Sequence, residues 1–220
     1  IRALAHIQIE GAKDFDWSVC FPVPAMDERA IRWDLNYFKY CFLKGTGIEF
    51  SEPRLEDDFD HLVQVITAQP ADAFLYRDCQ SRNIMIKDGK PYFIDFQGGR
   101  RGPTQYDVVS LLWQAKANLS PALREQLIAE YLDELEKIEI TNHQSPITNR
   151  ASWLSALPHF VLLRTLQVLG AYGYRGYFER KQHFLESIPL ALKNLSEVMA
   201  ELKDEYPYLY AISNDLLFLV

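Results

Sequence analysis

Cysteine is scarce in this 220-residue chain: Cys20, Cys41 and Cys79 lie far apart, with no CxxC pairing. An odd, scattered trio argues against a disulfide framework or a zinc site and fits a reducing cytosol. Basic residues are also in deficit, 23 against 30 acidic ones, and a formal charge of −7 disfavours a protein that grips nucleic acid along a basic face. No apolar run approaches the ~18 residues of a membrane-spanning helix, and the first residues lack a signal-peptide layout. The five histidines form no HxxxH or HxH pair, so a histidine metal site is not expected. Repeats and low-complexity tracts do not occur. Aromatics, by contrast, are plentiful. Thirteen Phe, twelve Tyr and four Trp in a 48% hydrophobic chain exclude disorder and suit the interior of one large domain or two small ones.

Helical spacing runs through most of the sequence. Residues 1–9 read as the end of a helix stopped near Gly11. Ile31, Leu35, Phe38 and Phe42 form a stripe ended by Gly45 and Gly47, and Leu55, Phe59, Leu62, Val63 and Ile66 form another, halted before Pro70. Further helices are predicted over residues 103–118, 121–138, 151–172 and 181–203, the last with Phe184, Ile188, Leu192, Leu195, Met199 and Leu202 on one face. The tail "YPYLYAISNDLLFLV" is too apolar to lie bare and is expected to pack on the body or continue into a further segment. Only residues 74–96 break the rhythm, with short β-rich runs and an Asp88-Gly89 turn signal. The expected class is α+β, mostly α: a helical body with one β-hairpin inserted near its middle.

Centring an antiparallel pair on Asp88-Gly89 sets Lys87 against Lys90, Asn83 against Ile94 and Arg82 against Asp95. The chain leaves a loop holding Asp78, runs out along one strand, turns, and returns with Asp95 beside its starting point. Asp78, Asn83 and Asp95 are therefore expected to converge. Two carboxylates and an amide oxygen suit Mg²⁺, which favours oxygen ligands shared with substrate phosphates. Any one of the three alone reads as an ordinary turn or cap residue. The ordered set, D-x4-N, hairpin, D, favours function.

"RDCQSRN" followed by "IDFQ" resembles the catalytic loop and metal-binding segment of the aminoglycoside phosphotransferase and choline kinase superfamily, relatives of protein kinases. "GGRRGPTQYDVVSLL" looks like that family's next stretch, where a Gly-Pro and a Tyr-Asp open a helix. The combined wording is similar to bacterial amino-sugar kinases of cell-wall recycling, which phosphorylate N-acetylmuramate or N-acetylglucosamine. These motifs cover residues 74–114, a catalytic and metal-binding core; the flanking helices match the family's large lobe only in layout. The resemblance implies ATP as phosphoryl donor, Mg²⁺ as metal and a small hydroxylated acceptor, in a cytoplasmic enzyme. It gives Asp78 the role of catalytic base and Asn83 and Asp95 those of metal ligands. Asp107 would brace the catalytic loop, with Arg77 beside it as a support; as a helix first-turn carboxylate Asp107 also reads as a dipole partner. Many family members carry His two residues before the catalytic Asp, whereas here the residue is Tyr76, read as core packing. Cys79, beside the base, has no histidine to activate it.

A small lobe is expected of such a kinase, and its phosphate-covering loop, strand lysine and partner glutamate are not visible. Gly45-Thr46-Gly47 sits at a helix end, and Gly170, Gly173 and Gly176 are spaced for a helix end or a close helix contact. Residues 1–220 are thus read as one large lobe that would contact an N-terminal lobe and turn over poorly by itself. Arg100 and Arg101 suit either substrate or phosphate oxygens or a solvated basic turn. In "RTLQVLGAYGYRGYFERK", Arg175 is the candidate for sugar contact. A non-catalytic kinase-like module that binds nucleotide or a partner is the rival reading, and a metal-dependent phosphohydrolase comes last.

Overall fold

Proline and glycine cut the apolar periodicity into ten α-helical segments and four short strands among residues 1–141 and 149–218, which the computed structural model describes. Helices α1 (Arg2–Glu10), α2 (Glu28–Phe38), α3 (Lys44–Thr46) and α4 (Glu52–Thr67) precede strand β1 (Ala73–Leu75). Strands β2 (Ile84–Lys87), β3 (Lys90–Phe93) and β4 (Arg100–Gly102) follow. The remainder is helical: α5 (Gln105–Leu112), α6 (Pro121–Thr141), α7 (Arg150–Gly173), α8 (Gln182–Leu185), α9 (Ile188–Leu202) and α10 (Pro207–Leu217). The mostly α, α+β class is the one the sequence pattern gives. The chain divides into two compact units, Ile1–Asp27 with Gln69–Gln114 and Leu119–Leu157, and Glu28–Ala68 with Ala115–Asn118 and Pro158–Val220.

In the first unit, α1 packs on α6 and β1 through a face made of Leu4, Ala5 and Gln8. Two of these are ordinary core residues. The third puts a primary amide into the interior, where it must find partners or cost about 1–3 kcal/mol. Helix α5 is buried on nearly every side, its polar Gln105, Asp107 and Ser110 as well as its apolar residues, and α6 contributes Ile128, Tyr131, Leu132, Leu135 and Ile138. Strands β2 and β3 pair with Lys87 opposite Lys90 and Ile84 opposite Phe93, the register expected of a two-residue turn at Asp88-Gly89. A bond from Ile94 N to Asn83 O, 3.0 Å, carries the pairing one residue further. A second, nonlocal sheet pairs β1 with β4, with Phe74 opposite Arg101 and Leu75 opposite Arg100.

In the second unit, α10 packs on α4 and α9. The buried Asp58 on α4 accepts from Tyr208 N (3.0 Å) and Leu209 N (2.7 Å), satisfying backbone donors of the first turn of α10. The apolar tail therefore packs on the body; Leu219 and Val220 lie outside the described residues. Glycine spacing on α7 reflects a close helix contact: a Cβ at Gly173 would meet Cys41 O at 2.2 Å and Phe42 Cα at 2.8 Å, and one at Gly170 would meet Phe38 N at 2.8 Å. These are backbone atoms and cannot swing aside. Gly173→Ala should therefore cost about 2–3 kcal/mol and lower the thermal midpoint by several degrees; an unchanged midpoint in a melting curve would show that the helices do not approach this closely.

Two predicted helices are shorter than expected. The 103–118 helix ends at Leu112, with a separate 3₁₀ turn at Ala115–Ala117. The 181–203 helix is two, α8 and α9, because Pro189 cannot supply an N–H to the preceding turn and so marks a new start. Arg150–Phe178, which is α7 with the π-turn after it, contains an 18-residue window of mean hydropathy 1.3 and is long and apolar enough to cross a bilayer by length and composition; 67% of that window is buried inside the protein, as a core helix would be.

Candidate active site

Strand β1 ends at Leu75, and the chain then enters a loop whose first two amides, those of Tyr76 and Arg77, have no strand partner. Asp107, in the first turn of α5, supplies one: Oδ2 accepts from Tyr76 N at 2.6 Å and Oδ1 from Arg77 N at 2.8 Å. The carboxylate is fully buried. Gln8 closes the arrangement from α1, donating Nε2 to Asp107 Oδ2 (3.2 Å) and to Thr104 O (3.1 Å) while its Oε1 accepts from the Tyr131 hydroxyl. The core amide of α1 thus has a partner on each side. Burial, the largest influence, pushes the Tyr131 phenol far above its ordinary range, so it remains a donor at any working pH.

Beyond Arg77, which is held at a left-handed φ of 75°, the loop carries Asp78, half-buried, with Gln80 Nε2 at 3.4 Å from its Oδ1. A 3₁₀ turn, Ser81–Asn83, follows. It is tied down by Gln114 just past α5, whose Oε1 accepts from Ser81 N (3.0 Å) and Ser81 Oγ (2.8 Å). Asn83 is buried and joins two stretches of chain: Nδ2 donates to Asp78 O at 3.0 Å, and its backbone O accepts from Ile94 N at 3.0 Å. With Nδ2 engaged, the amide presents Oδ1 as its remaining acceptor.

Asp95 comes directly after that second contact. It is exposed, has a left-handed φ of 68°, and its carboxylate makes no hydrogen bond or ion pair among the described residues. The turn after it packs back on the loop: a Cβ at Gly98 would touch Arg77 Cδ at 3.4 Å, and one at Gly99 would collide with Phe74 Cζ at 2.6 Å. Positive φ on two non-glycine residues flanking one site is strain of the kind that collects at functional loops.

The donors at hand are all oxygen: the Asp95 carboxylate, the Asn83 amide oxygen and the nearby Asp78 carboxylate. Among the described residues no three His, Cys, Asp or Glu side chains are grouped as a cage for a metal. Such a set fits Mg²⁺, which is held by one or two carboxylates and completes its shell with water and substrate phosphates.

The other candidates are placed differently. Arg100 is buried in β4, with Nε bonded to Gly98 O at 3.1 Å. Arg101 is exposed, and its backbone pairs with Phe74 and bonds to Pro24 and Met26. Arg175 belongs to the second unit, where it lies over the Phe184 ring and 3.7 Å from Glu179. Cys79 is fully buried. Sequence reasoning missed Gln8 and Gln114. Gln8 carried a signal, since it falls on the same helical face as Leu4 and Ala5; Gln114 carried none.

Residues 25–140 match the model of the phosphotransferase enzyme family that includes the aminoglycoside phosphotransferases. The chain is 26% identical over 200 residues to an N-acetylmuramate/N-acetylglucosamine kinase of Neisseria meningitidis serogroup B, a match covering 88% of this chain and 58% of that protein. It is 24% identical over 183 residues to a kinase of the same name from Pseudomonas putida, covering 81% and 52%. A third, from Pseudomonas aeruginosa, is 34% identical over 93 residues, covering 40% and 27%. The chain spans about half the length of the first two of these relatives.

Proposed function

The chain belongs to the phosphotransferase enzyme family, and from that premise we propose that it carries the catalytic loop and metal site of a cytosolic kinase that moves the γ-phosphoryl group of ATP to a hydroxyl of an amino sugar. The observation that carries this reading is Asn83, hydrogen-bonded on one side to the backbone of Asp78 and on the other to the residue before Asp95. That pair of bonds ties the chain segments that carry the three residues to one end of the hairpin, which supports the reading.

In this reading Asp78 accepts the proton of the attacking sugar hydroxyl and orients it, a general-base contribution of roughly 10²–10⁴ in rate. Asn83 Oδ1 and the Asp95 carboxylate hold Mg²⁺. The ion, when bound, neutralises charge on the nucleotide phosphates. Asp107 fixes the backbone leading into Asp78, so the base starts from a defined position without paying for reorganisation. Exposed Met85, Tyr92, Ile94 and Phe96 on and after the hairpin form an apolar surface suited to the further lobe that the family resemblance implies. Amino sugars as acceptors follow from the names of the relatives, and the free cysteines agree with a reducing compartment.

The test is ADP release by the intact natural protein with Mg-ATP across N-acetylmuramate, N-acetylglucosamine, other hexoses, choline and an aminoglycoside. Turnover confined to the amino sugars is the expected result. Mg-ATP binding with no turnover on any acceptor would favour the non-catalytic module instead.

A further inference from the structure

Ile94 is held at both of its backbone polar groups. Its N–H donates to Asn83 O at 3.0 Å, and its carbonyl accepts from the Tyr76 hydroxyl. Tyr76 is buried, its ring set edge-on to Phe93 at 6.0 Å between centroids, and its own N–H is bonded to Asp107. One residue therefore touches the brace of the catalytic loop with its backbone and the approach to Asp95 with its side chain.

The residue after Ile94 is in the left-handed region, which a non-glycine residue keeps only when the surrounding structure over-determines it. The two bonds at Ile94 supply that constraint on the N-terminal side of Asp95. On the other side, the Gly98-Gly99 turn against Arg77 and Phe74 supplies it. Against a carbonyl, which only accepts, the phenol must be the donor.

We propose that Tyr76 is a positioning residue: its hydroxyl holds the Ile94 carbonyl and so sets the turn that aims the Asp95 carboxylate toward the 78–83 loop. The functional part of this statement rests on the reading of Asp95 as a metal ligand. It assigns a task in the site to a residue that the sequence marks only as packing.

Three proteins test it: the natural chain, Tyr76→Phe, and a variant with 4-aminophenylalanine in place of Tyr76, which restores an N–H donor at nearly the same reach. Amide hydrogen exchange, measured without metal, reads the turn. Mn²⁺ alone, followed by its electron paramagnetic resonance signal, reads the carboxylate, with Asp95→Ala as reference. Tyr76→Phe should speed exchange of the Ile94 amide about fivefold, the equivalent of one net hydrogen bond, while the Arg77 amide keeps its protection through Asp107. Mn²⁺ affinity should weaken by a similar factor, and the 4-amino variant should recover both. Unchanged Ile94 exchange in Tyr76→Phe overturns the proposal, as does faster exchange with unaltered Mn²⁺ affinity. A 4-amino variant that behaves like Tyr76→Phe assigns the effect to packing and overturns it as well. If the natural chain binds Mn²⁺ no better than Asp95→Ala, the metal-site reading fails, and the exchange rates alone then decide whether Tyr76 sets the turn.

Discussion

Asp78→Ala should lower phosphoryl transfer by roughly 10²–10⁴-fold while leaving the fold and nucleotide binding in place. The first half follows from the proposed role of the carboxylate, which is to take the acceptor's proton. The second follows from how the loop is held. Asp78 contributes its backbone carbonyl, not its side chain, to the bond with Asn83, and alanine keeps that carbonyl. The side chain is half-exposed, so truncating it opens no cavity. Steady-state ADP release with the intact natural protein should show the loss in kcat, with the KM for Mg-ATP within about threefold; a variant retaining a tenth or more of the natural kcat would remove Asp78 from the chemistry. An accompanying fall in thermal midpoint would mean instead that the loop depends on the carboxylate.

The largest effect on stability is expected at Asp107. Its two oxygens receive three donors, Tyr76 N, Arg77 N and Gln8 Nε2, at a fully buried position. An environment made of donors calls for a group that only accepts, and of the side chains of this size an ionised carboxylate alone does so. Asp107→Ala strands all three donors and should cost about 3–5 kcal/mol, a large share of the 5–15 kcal/mol typical of a domain. Asp107→Asn keeps one acceptor but turns an NH₂ toward a donor, and about 2 kcal/mol is expected. Gln8→Ala, which removes one donor and exposes the Tyr131 hydroxyl to loss of its acceptor, should fall near the asparagine variant. Urea unfolding monitored by tryptophan fluorescence gives the order; an alanine variant within about 1 kcal/mol of the natural protein would show that the bonds are not formed in solution. The same variant should lose activity at denaturant concentrations too low to unfold it, because the backbone of residues 76 and 77 is then no longer fixed.

Local signals in the sequence were reliable where the structure is local. The Asp88-Gly89 turn gives the β2–β3 register residue by residue, and the Ile1–Ile9 and Leu55–Ile66 stripes fall on α1 and α4. Nonlocal pairing was not legible. Strands β1 and β4 are three residues each, lie on either side of the hairpin, and share no turn that could announce them; this is why Arg100 and Arg101 read either as substrate or phosphate contacts or as a solvated basic turn, and not as strand residues. Proline was ambiguous in the same way. Pro189 starts α9, yet Pro158 lies inside α7, and nothing in the flanking residues separates the two. At the site, residue types and order pointed to Asp78, Asn83 and Asp95, and the resemblance to Asp107 as the brace, but the other parts that hold them were hidden. Gln114 and Gln8 act through side-chain bonds to residues 33 and 99 positions away, distances over which a single sequence carries no pattern.

The hairpin has a consequence for how this family can tolerate change in chain length. Its turn, Asp88-Gly89, is exposed, with open space around the Gly89 α-carbon, and the Asn83–Ile94 contact is fixed from the opposite end. Extra residues added at the tip lengthen the loop without altering which residues meet at the base, and the closure penalty grows only slowly with loop size. A single residue inserted inside β2 or β3 does something else: alternation along a strand is two-fold, so it turns every side chain beyond it to the other face. The tip is therefore the natural place to graft a tag, a fluorophore or a binding peptide one hairpin's length from the candidate site, and the strands beside it are the place where one added codon would be intolerable.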